Sequence, residues 1–321
     1  MSVSLTKPVS PAAANVSDYV HLARPDHWFK NVFMFPGMLM AYMYYRKGFD
    51  GSLILDLVLS VVSTCFIASA NYVINEWLDA EFDRHHPVKK LRPSVVKNLN
   101  PKIIYAQYVV LAALGLGIAY RFGMYYFLVA LLLLVMGVLY NVRPFRTKER
   151  AYIDVLSESV NNPIRFMLGW LAVAPFILPP SSIIVAYWMG GAFLMGCKRL
   201  AEYRFINDKA TAGLYRKSFQ RYTQTSLIIS IFFYALTSTF FLGIFLIKHR
   251  IELLLTFPLF ALLFSWYLTI TFRPNSAAQG LEKLYTNWKY MIFIVLFFIF
   301  AMSLLVIDIP WLHWFLRNNF G

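Results

Sequence analysis

Long apolar runs separated by short polar connectors dominate this chain. Runs long enough to cross the ~30 Å hydrocarbon core of a bilayer lie at Trp28–Tyr45, Ser52–Asn75, Ile103–Tyr120, Met124–Val142, Asp154–Leu178, Ser182–Cys197, Ser226–Ile247, Ile251–Phe272 and Trp288–Ile309. The pattern predicts an all-α polytopic membrane protein, with about nine transmembrane helices in one bundle enclosing a cavity open to the cytoplasmic side. The sixth run is short unless it continues into Lys198–Tyr203, and the fifth carries polar residues that only a bundle interior tolerates. Residues 1–22 begin MSVSLTKPVSPAAANVSD, without an apolar core, and read as a flexible tail rather than a cleavable signal peptide. Residues 23–321 read as a single transmembrane domain.

Composition agrees with the pattern. With 59% hydrophobic and only 14% charged residues, the chain is too apolar for an ordinary soluble domain of its length. A net charge of +14 would point to nucleic acid in a soluble protein. Here the basic residues sit in connectors, where they report membrane orientation instead, so no nucleic-acid partner is expected. Most Lys and Arg lie before the first run and after the second, fourth, sixth and eighth, which places the N-terminus on the cytoplasmic side and the C-terminus opposite. A bacterial inner membrane is the expected location. Cys65 and Cys197 fall within apolar segments without metal spacing and read as packing residues. The tryptophans cluster near predicted helix ends, as in an interfacial belt, with the lining of an apolar cavity as the alternative.

One polar stretch stands out. Asn71, Asn75, Asp79 and Asp83 recur every four residues where the second apolar run emerges into water, and on a helix they form one drifting stripe. A solvated helix end is the plain reading. The other is a hard-cation site, because carboxylate and amide oxygens suit Mg²⁺, which binds through one or two carboxylates together with substrate phosphates. The following RHHPVKKLRP supplies Lys89, Lys90 and Arg92, able to hold phosphate oxygens. Acids and a basic loop together point to a diphosphate pocket.

A second cluster opens the fifth run. Asp154 and Glu158 are four apart, and Asn161, Asn162 and Arg165 carry the polar face into the membrane. Arg165 requires a partner there, either one of these acids, as a buried interhelical ion pair, or a substrate phosphate. YNVRPFRTKER precedes it, a basic loop headed by Tyr140 and carrying Arg146 and Lys148. A third cluster, Lys198, Arg199 and Glu202, closes the sixth run, where a surface salt bridge and a binding role are equally open. Lys30 and Asn31 in RPDHWFKN lie at the same level. No nucleophile elbow or Walker loop is present, and the adjacent His85 and His86 do not fit a zinc motif.

These residues resemble the UbiA superfamily of intramembrane prenyltransferases. Its NDxxDxxxD signature is matched by Asn75 through Asp83, with Glu76 in place of the first Asp, and its second acidic motif by Asp154 through Glu158. RPDHWFKN, DRHHPVKKLRP, the Tyr140 loop and CKRLAE are most similar to the branch containing decaprenyl-phosphate phosphoribosyltransferases. SESVNNPIR departs from that branch. The resemblance implies a transferase that displaces diphosphate, with Asp79, Asp83, Asp154 and Glu158 as catalytic acids. It implies Mg²⁺ on Asn75, Asp79, Asp83 and Asp154, and phosphate contacts from Lys89, Lys90, Arg92, Lys198 and Arg199. The expected partners are the bilayer, a polyprenyl phosphate or diphosphate lipid, and a soluble diphosphate donor or aromatic acceptor. Transfer of phosphoribose to a polyprenyl phosphate is the leading expectation. Prenyl transfer to an aromatic acceptor and a non-enzymatic transporter or lipid-binding protein are the alternatives.

Overall fold

The computed structural model describes residues 12–315 except 47, 49, 50, 87, 275, 280–283 and 285. Its helices are α1 (Val16–Ala23), α2 (Phe35–Tyr45), α3 (Gly51–Asp83), α4 (Pro93–Val96), α5 (Pro101–Tyr120), α6 (Met124–Asn141), α7 (Ile153–Ser159), α8 (Asn161–Val173), α9 (Ser181–Ile206), α10 (Lys209–Tyr215), α11 (Gln224–His249), α12 (Phe257–Thr271), α13 (Trp288–Val306) and α14 (Pro310–Phe315). Seven helical segments among the described residues are long and apolar enough to span a bilayer, the sixth being Ile251–Thr271 with α12 at its end. The protein is a multi-pass α-helical membrane protein.

The two predicted runs missing from those seven are broken. The first begins as a 3-10 helix, Pro25–Met34, and continues as α2. The fifth divides into α7 and α8 just before Pro163. That proline has no N–H, and its ring would crowd the Ser159 carbonyl of a continuous helix. The two broken segments pack against each other through glycines. A Cβ on Gly37 would lie 2.1 Å from the Phe166 carbonyl oxygen, and one on Gly169 would lie 2.1 Å from that of Met34. Only hydrogen at both positions lets the backbones approach this closely.

Part of the expected tail is structured. Ala12–Ala13 pairs in parallel with Lys97–Asn98. Helix α1 then opens with an Asn15–Asp18 capping box and docks where the Tyr19 hydroxyl accepts from the Asn100 N–H at 2.9 Å. Apolar packing gathers in one cluster on α2, α3, α6 and α8 and another on α9, α11 and α12. The connectors after α3, α6 and α9 converge between them, at the end of the bundle richest in Lys and Arg.

Candidate active site

These connectors enclose a chamber of about 300 Å³ whose wall carries ten Lys or Arg but only four Asp or Glu, namely Asp79, Glu149, Glu158 and Glu202. Its base is apolar, with Phe33, Ala68, Leu133, Leu194 and Met195.

Helix α3 runs unbroken through the polar stripe. Each four-residue step drifts about 40° around the helix, so the stripe turns about 120° between Asn71 and Asp83. Asn71, Asn75 and Asp79 therefore face the chamber, whereas Asp83 is buried outside it, 2.5 Å from Arg92 Nη1. Glu76, one helical repeat of seven before Asp83, points the same way and pairs with Arg24 Nε at 3.1 Å. Both off-axis acids thus hold arginines that themselves line the chamber.

Asp79 uses a single oxygen for two cations. Its Oδ1 meets Arg146 Nη2 at 3.0 Å and also Lys148 Nζ, and among the described residues no protein group is bonded to Oδ2. Arg146 is fixed further by Glu149 Oε1 at 2.7 Å and the Asn141 carbonyl at 2.9 Å. Burial pushes the Lys148 ammonium down to about 8 despite the opposing attraction of Asp79. Asn75 Nδ2 donates to Asn141 Oδ1, which also accepts from Lys148 at 2.7 Å. One turn earlier, Asn71 sits over Gly137, where a Cβ would collide with its amide; Nδ2 donates to the Leu133 carbonyl at 2.9 Å, and the buried Oδ1 has no partner among the described residues.

The opposite wall is organised by Arg199, which is fully buried behind the chamber rather than in it. Its guanidinium reaches Asp154 Oδ2 at 3.1 Å, Glu202 Oε2 at 3.4 Å and Glu158 Oε2. Asp154 also accepts from Ser218 Oγ at 3.0 Å and the Tyr222 hydroxyl at 2.7 Å. Glu158 faces the chamber, accepting the Tyr140 hydroxyl at 2.7 Å and pairing with Lys198 at 3.3 Å. The spacing of Lys198 and Glu202 is not used as a pair, because Glu202 turns to Arg199 and to Lys89, 3.6 Å away. Lys89 also donates to the Tyr215 hydroxyl. Burial opposes its charge, but Tyr215 and Glu202 outweigh that and raise its pKa above the ordinary lysine value.

Arg165 lines the chamber without any carboxylate partner among the described residues. Its Nε donates to Asn31 Oδ1 at 2.9 Å and its Nη1 to the Asn161 carbonyl at 3.3 Å. Of the two partners open to Arg165, the ion pair with Asp154 or Glu158 is not made, since Arg199 claims both acids.

Of the residues singled out from sequence, Lys30, Asn75, Asp79, Lys89, Arg92, Tyr140, Arg146, Lys148, Glu158, Asn162, Arg165, Lys198 and Glu202 line one chamber. Five do not. Asp83, Asp154 and Arg199 are buried behind its wall in ion pairs, Asn31 is buried beneath Arg165, and Lys90 is exposed outside. Sequence reasoning assigned no site role to His27, Asn141, Tyr215, Arg216 or Lys217, all of which line the chamber. The run Tyr215-Arg216-Lys217 and an asparagine at the end of an apolar helix were the available signals. None of the described tryptophans lines the chamber.

The four-residue Mg²⁺ set is not assembled, and no three His, Cys, Asp or Glu side chains cluster as a metal cage among the described residues. Asp83 faces away from the chamber with Oδ2 on Arg92, and Asp154 has spent both oxygens on arginine and hydroxyl donors. A smaller set does suit a hard cation: the amide oxygen of Asn75 and Asp79 Oδ2, one turn apart on the same helix face and both lining the chamber. One carboxylate with an amide oxygen is a fitting protein share for Mg²⁺, which completes its shell with water and phosphate oxygens.

Membrane-spanning helices around a cationic chamber with an apolar base define a membrane-embedded protein with a polar site buried in its bundle. The chain belongs to the UbiA prenyltransferase family, whose model matches residues 33–287. It is 31% identical over 224 residues to a decaprenyl-phosphate phosphoribosyltransferase of Mycobacterium tuberculosis, a match covering 68% of this chain and 70% of that one. With the Corynebacterium glutamicum protein of the same name the identity is 30% over 219 residues, covering 66% of this chain and 62% of the relative's length, less than two thirds of it. In fold it is similar to a UbiA homologue from Archaeoglobus fulgidus bound to GPP and Mg²⁺, with a TM-score of 0.66, 20% identity, and coverage of 90% of this chain and 100% of the other.

Proposed function

We propose that this protein transfers phosphoribose from phosphoribosyl diphosphate to a polyprenyl phosphate, with Mg²⁺ held by Asn75 and Asp79. The observation that carries this reading is the excess of cations, ten against four acids. A prenyl diphosphate with an aromatic acceptor brings one strongly charged group to the chamber. Phosphoribosyl diphosphate with a polyprenyl phosphate brings three, the diphosphate, the sugar phosphate and the lipid phosphate, and a wall this cationic matches that larger negative charge.

In this reaction the bond from the sugar's anomeric carbon to diphosphate breaks, diphosphate leaves with the electron pair, and a lipid phosphate oxygen forms the new bond to that carbon. The nucleophile is already ionised, so no side chain has to remove a proton from it. That fits Glu158, whose carboxylate is committed to Tyr140, Lys198 and Arg199. Bound Mg²⁺ would neutralise the departing diphosphate. Arg146 and Lys148, beside Asp79, stabilise the same charge. Lys89, Arg92 and Lys198 sit across the mouth to hold the other phosphates, and Arg165 lies deeper, toward the apolar base where the isoprenoid tail enters. The apolar base of Phe33, Ala68, Leu133, Leu194 and Met195 keeps water from that side of the developing cation.

The topology follows the same reading. Ten 3-10 residues before α2's eleven give about 36 Å of helix, and α7 with α8 about 31 Å, each enough to cross. On this reading the chain makes nine crossings, with the N-terminus and chamber in the cytoplasm and the C-terminus opposite, as the Lys/Arg-rich connectors favour.

Incubating the purified protein with labelled phosphoribosyl diphosphate and polyprenyl phosphate tests the proposal, with label expected in the lipid phase. A lipid phase that stays unlabelled, alongside turnover of a prenyl diphosphate with an aromatic acceptor, would overturn it.

A further inference from the structure

A second concavity of about 650 Å³ opens on the same loop-rich end, bordered by Arg143, Arg150 and Arg221. All three arginines are exposed, and among the described residues none has a carboxylate or hydrogen-bond acceptor for its guanidinium. Three unpaired like charges around one hollow repel each other and give the fold no stability. Guanidiniums are also the side chains best shaped to grip phosphate oxygens in pairs. Within the chamber, by contrast, Arg24, Arg92, Arg146 and Lys148 each have an acidic partner.

The two hollows share a partition. Arg146, Glu149 and Lys217 line both, and Glu149 stands between the two bases, 2.7 Å from Arg146 Nε and 3.1 Å from Lys217 Nζ. An incoming phosphate would compete with this one carboxylate for both cations. Arg146 in turn contacts Asp79, so the partition adjoins the proposed reaction centre directly.

We propose that the Arg143–Arg150–Arg221 hollow is a second, outer binding site for a diphosphate or phosphomonoester group, separated from the chamber by Glu149. That the site stages such groups on their way to or from the chamber rests on the transferase reading above; that it binds them does not. The same chemistry is carried by a soluble diphosphate and by the phosphomonoester head group of phosphatidic acid.

The test uses the full-length protein and a variant carrying Arg143→Gln, Arg150→Gln and Arg221→Gln, with the single Arg221→Glu substitution as a second, smaller perturbation. In one arm, equilibrium dialysis in detergent at low salt measures labelled inorganic diphosphate. In the other, native mass spectrometry counts phosphatidic acid retained from nanodiscs that also contain phosphatidylcholine. Wild type should hold two diphosphates, and the triple variant should lose the outer one, its affinity falling about tenfold or more, as expected from removing three exposed charge contacts. Loss confined to the lipid arm would support the site and assign it to a phospholipid head group. No change in either arm, for either variant, would overturn it. A wild-type protein that binds two diphosphates but transfers nothing would leave the outer site standing while removing the transferase reading.

Discussion

Replacing Arg165 by Met separates substrate binding from folding. Arg165 is an intramembrane cation, 8% exposed, with neutral partners only among the described residues. Losing it strips Asn31 Oδ1 of its donor, a cost of about 1–3 kcal/mol. Against that, an unpaired Arg at mid-helix costs about 2.5–3.5 kcal/mol on insertion scales, which Met removes while keeping much of the volume. The two nearly cancel, so the thermal midpoint should hold or rise. Transfer should not survive as well: deleting one partner of a desolvated charge pair costs about 2–5 kcal/mol, or about 30-fold to several thousand-fold in kcat/KM. Arg165→Lys should fall between, because an ammonium keeps the charge but not the two-pronged grip. The assay is phosphoribosyl transfer in nanodiscs at saturating Mg²⁺, paired with a thermal melt. A folded Arg165→Met protein with kcat/KM within about threefold of wild type, far short of the loss of a buried charge partner, would refute the assignment.

Chelation of Mg²⁺ should abolish transfer, and Asp79→Asn should raise the Mg²⁺ needed for half-maximal activity. Asp154→Asn should leave that Mg²⁺ requirement unchanged but lower stability by about 1–3 kcal/mol, because Arg199, Ser218 and Tyr222 lose a charged acceptor while Glu158 and Glu202 still hold Arg199; denaturation would show it. Gly37→Ala should destabilise by about 1–3 kcal/mol, because its methyl meets the Phe166 carbonyl; an unchanged thermal midpoint would contradict the close α2–α8 approach. His86 accepts from the Val88 and Lys89 N–H groups and stacks edge-on to Tyr215, and burial, helped by Lys89, pushes its pKa down to about 4. The opened loop therefore binds more protons than the closed one between pH 6.5 and 4; closure is firm above that window and weakens as pH falls through it. Amide exchange over residues 84–92, corrected for the intrinsic pH dependence of exchange, should quicken from about pH 7 to about pH 5, and a flat corrected profile would contradict this.

Hydrophobic run length was enough to read the bundle, and a four-residue polar recurrence was enough to find the chamber's first wall. The recurrence overreached at Asp83 because four residues exceed one helical turn, a drift that accumulates until the side chain leaves the shared face. Pro163 carried the break between α7 and α8 in plain sight. Asp154 was misread for a different reason: Arg199, Ser218 and Tyr222, which consume its oxygens, lie 45 to 68 residues away in sequence. Arg216 and Lys217 were invisible as chamber residues because only the folding of the α9–α11 connector over α3 brings them there. Local periodicity tells which way a residue faces, not what it faces.

The reciprocal glycine contact between α2 and α8 bears on biogenesis. Asn31 and Arg165, at the same seam, are separated by 134 positions, so the ribosome completes more than a third of the chain before the first broken segment meets its counterpart. Until then that segment presents a bare backbone groove and irregular 3-10 turns to lipid, a poor resting state for a membrane-inserted peptide. Insertion of the opening segment is thus provisional, made permanent only when α8 arrives, and truncations ending before Pro163 should leave the N-terminal region exposed to quality-control proteolysis.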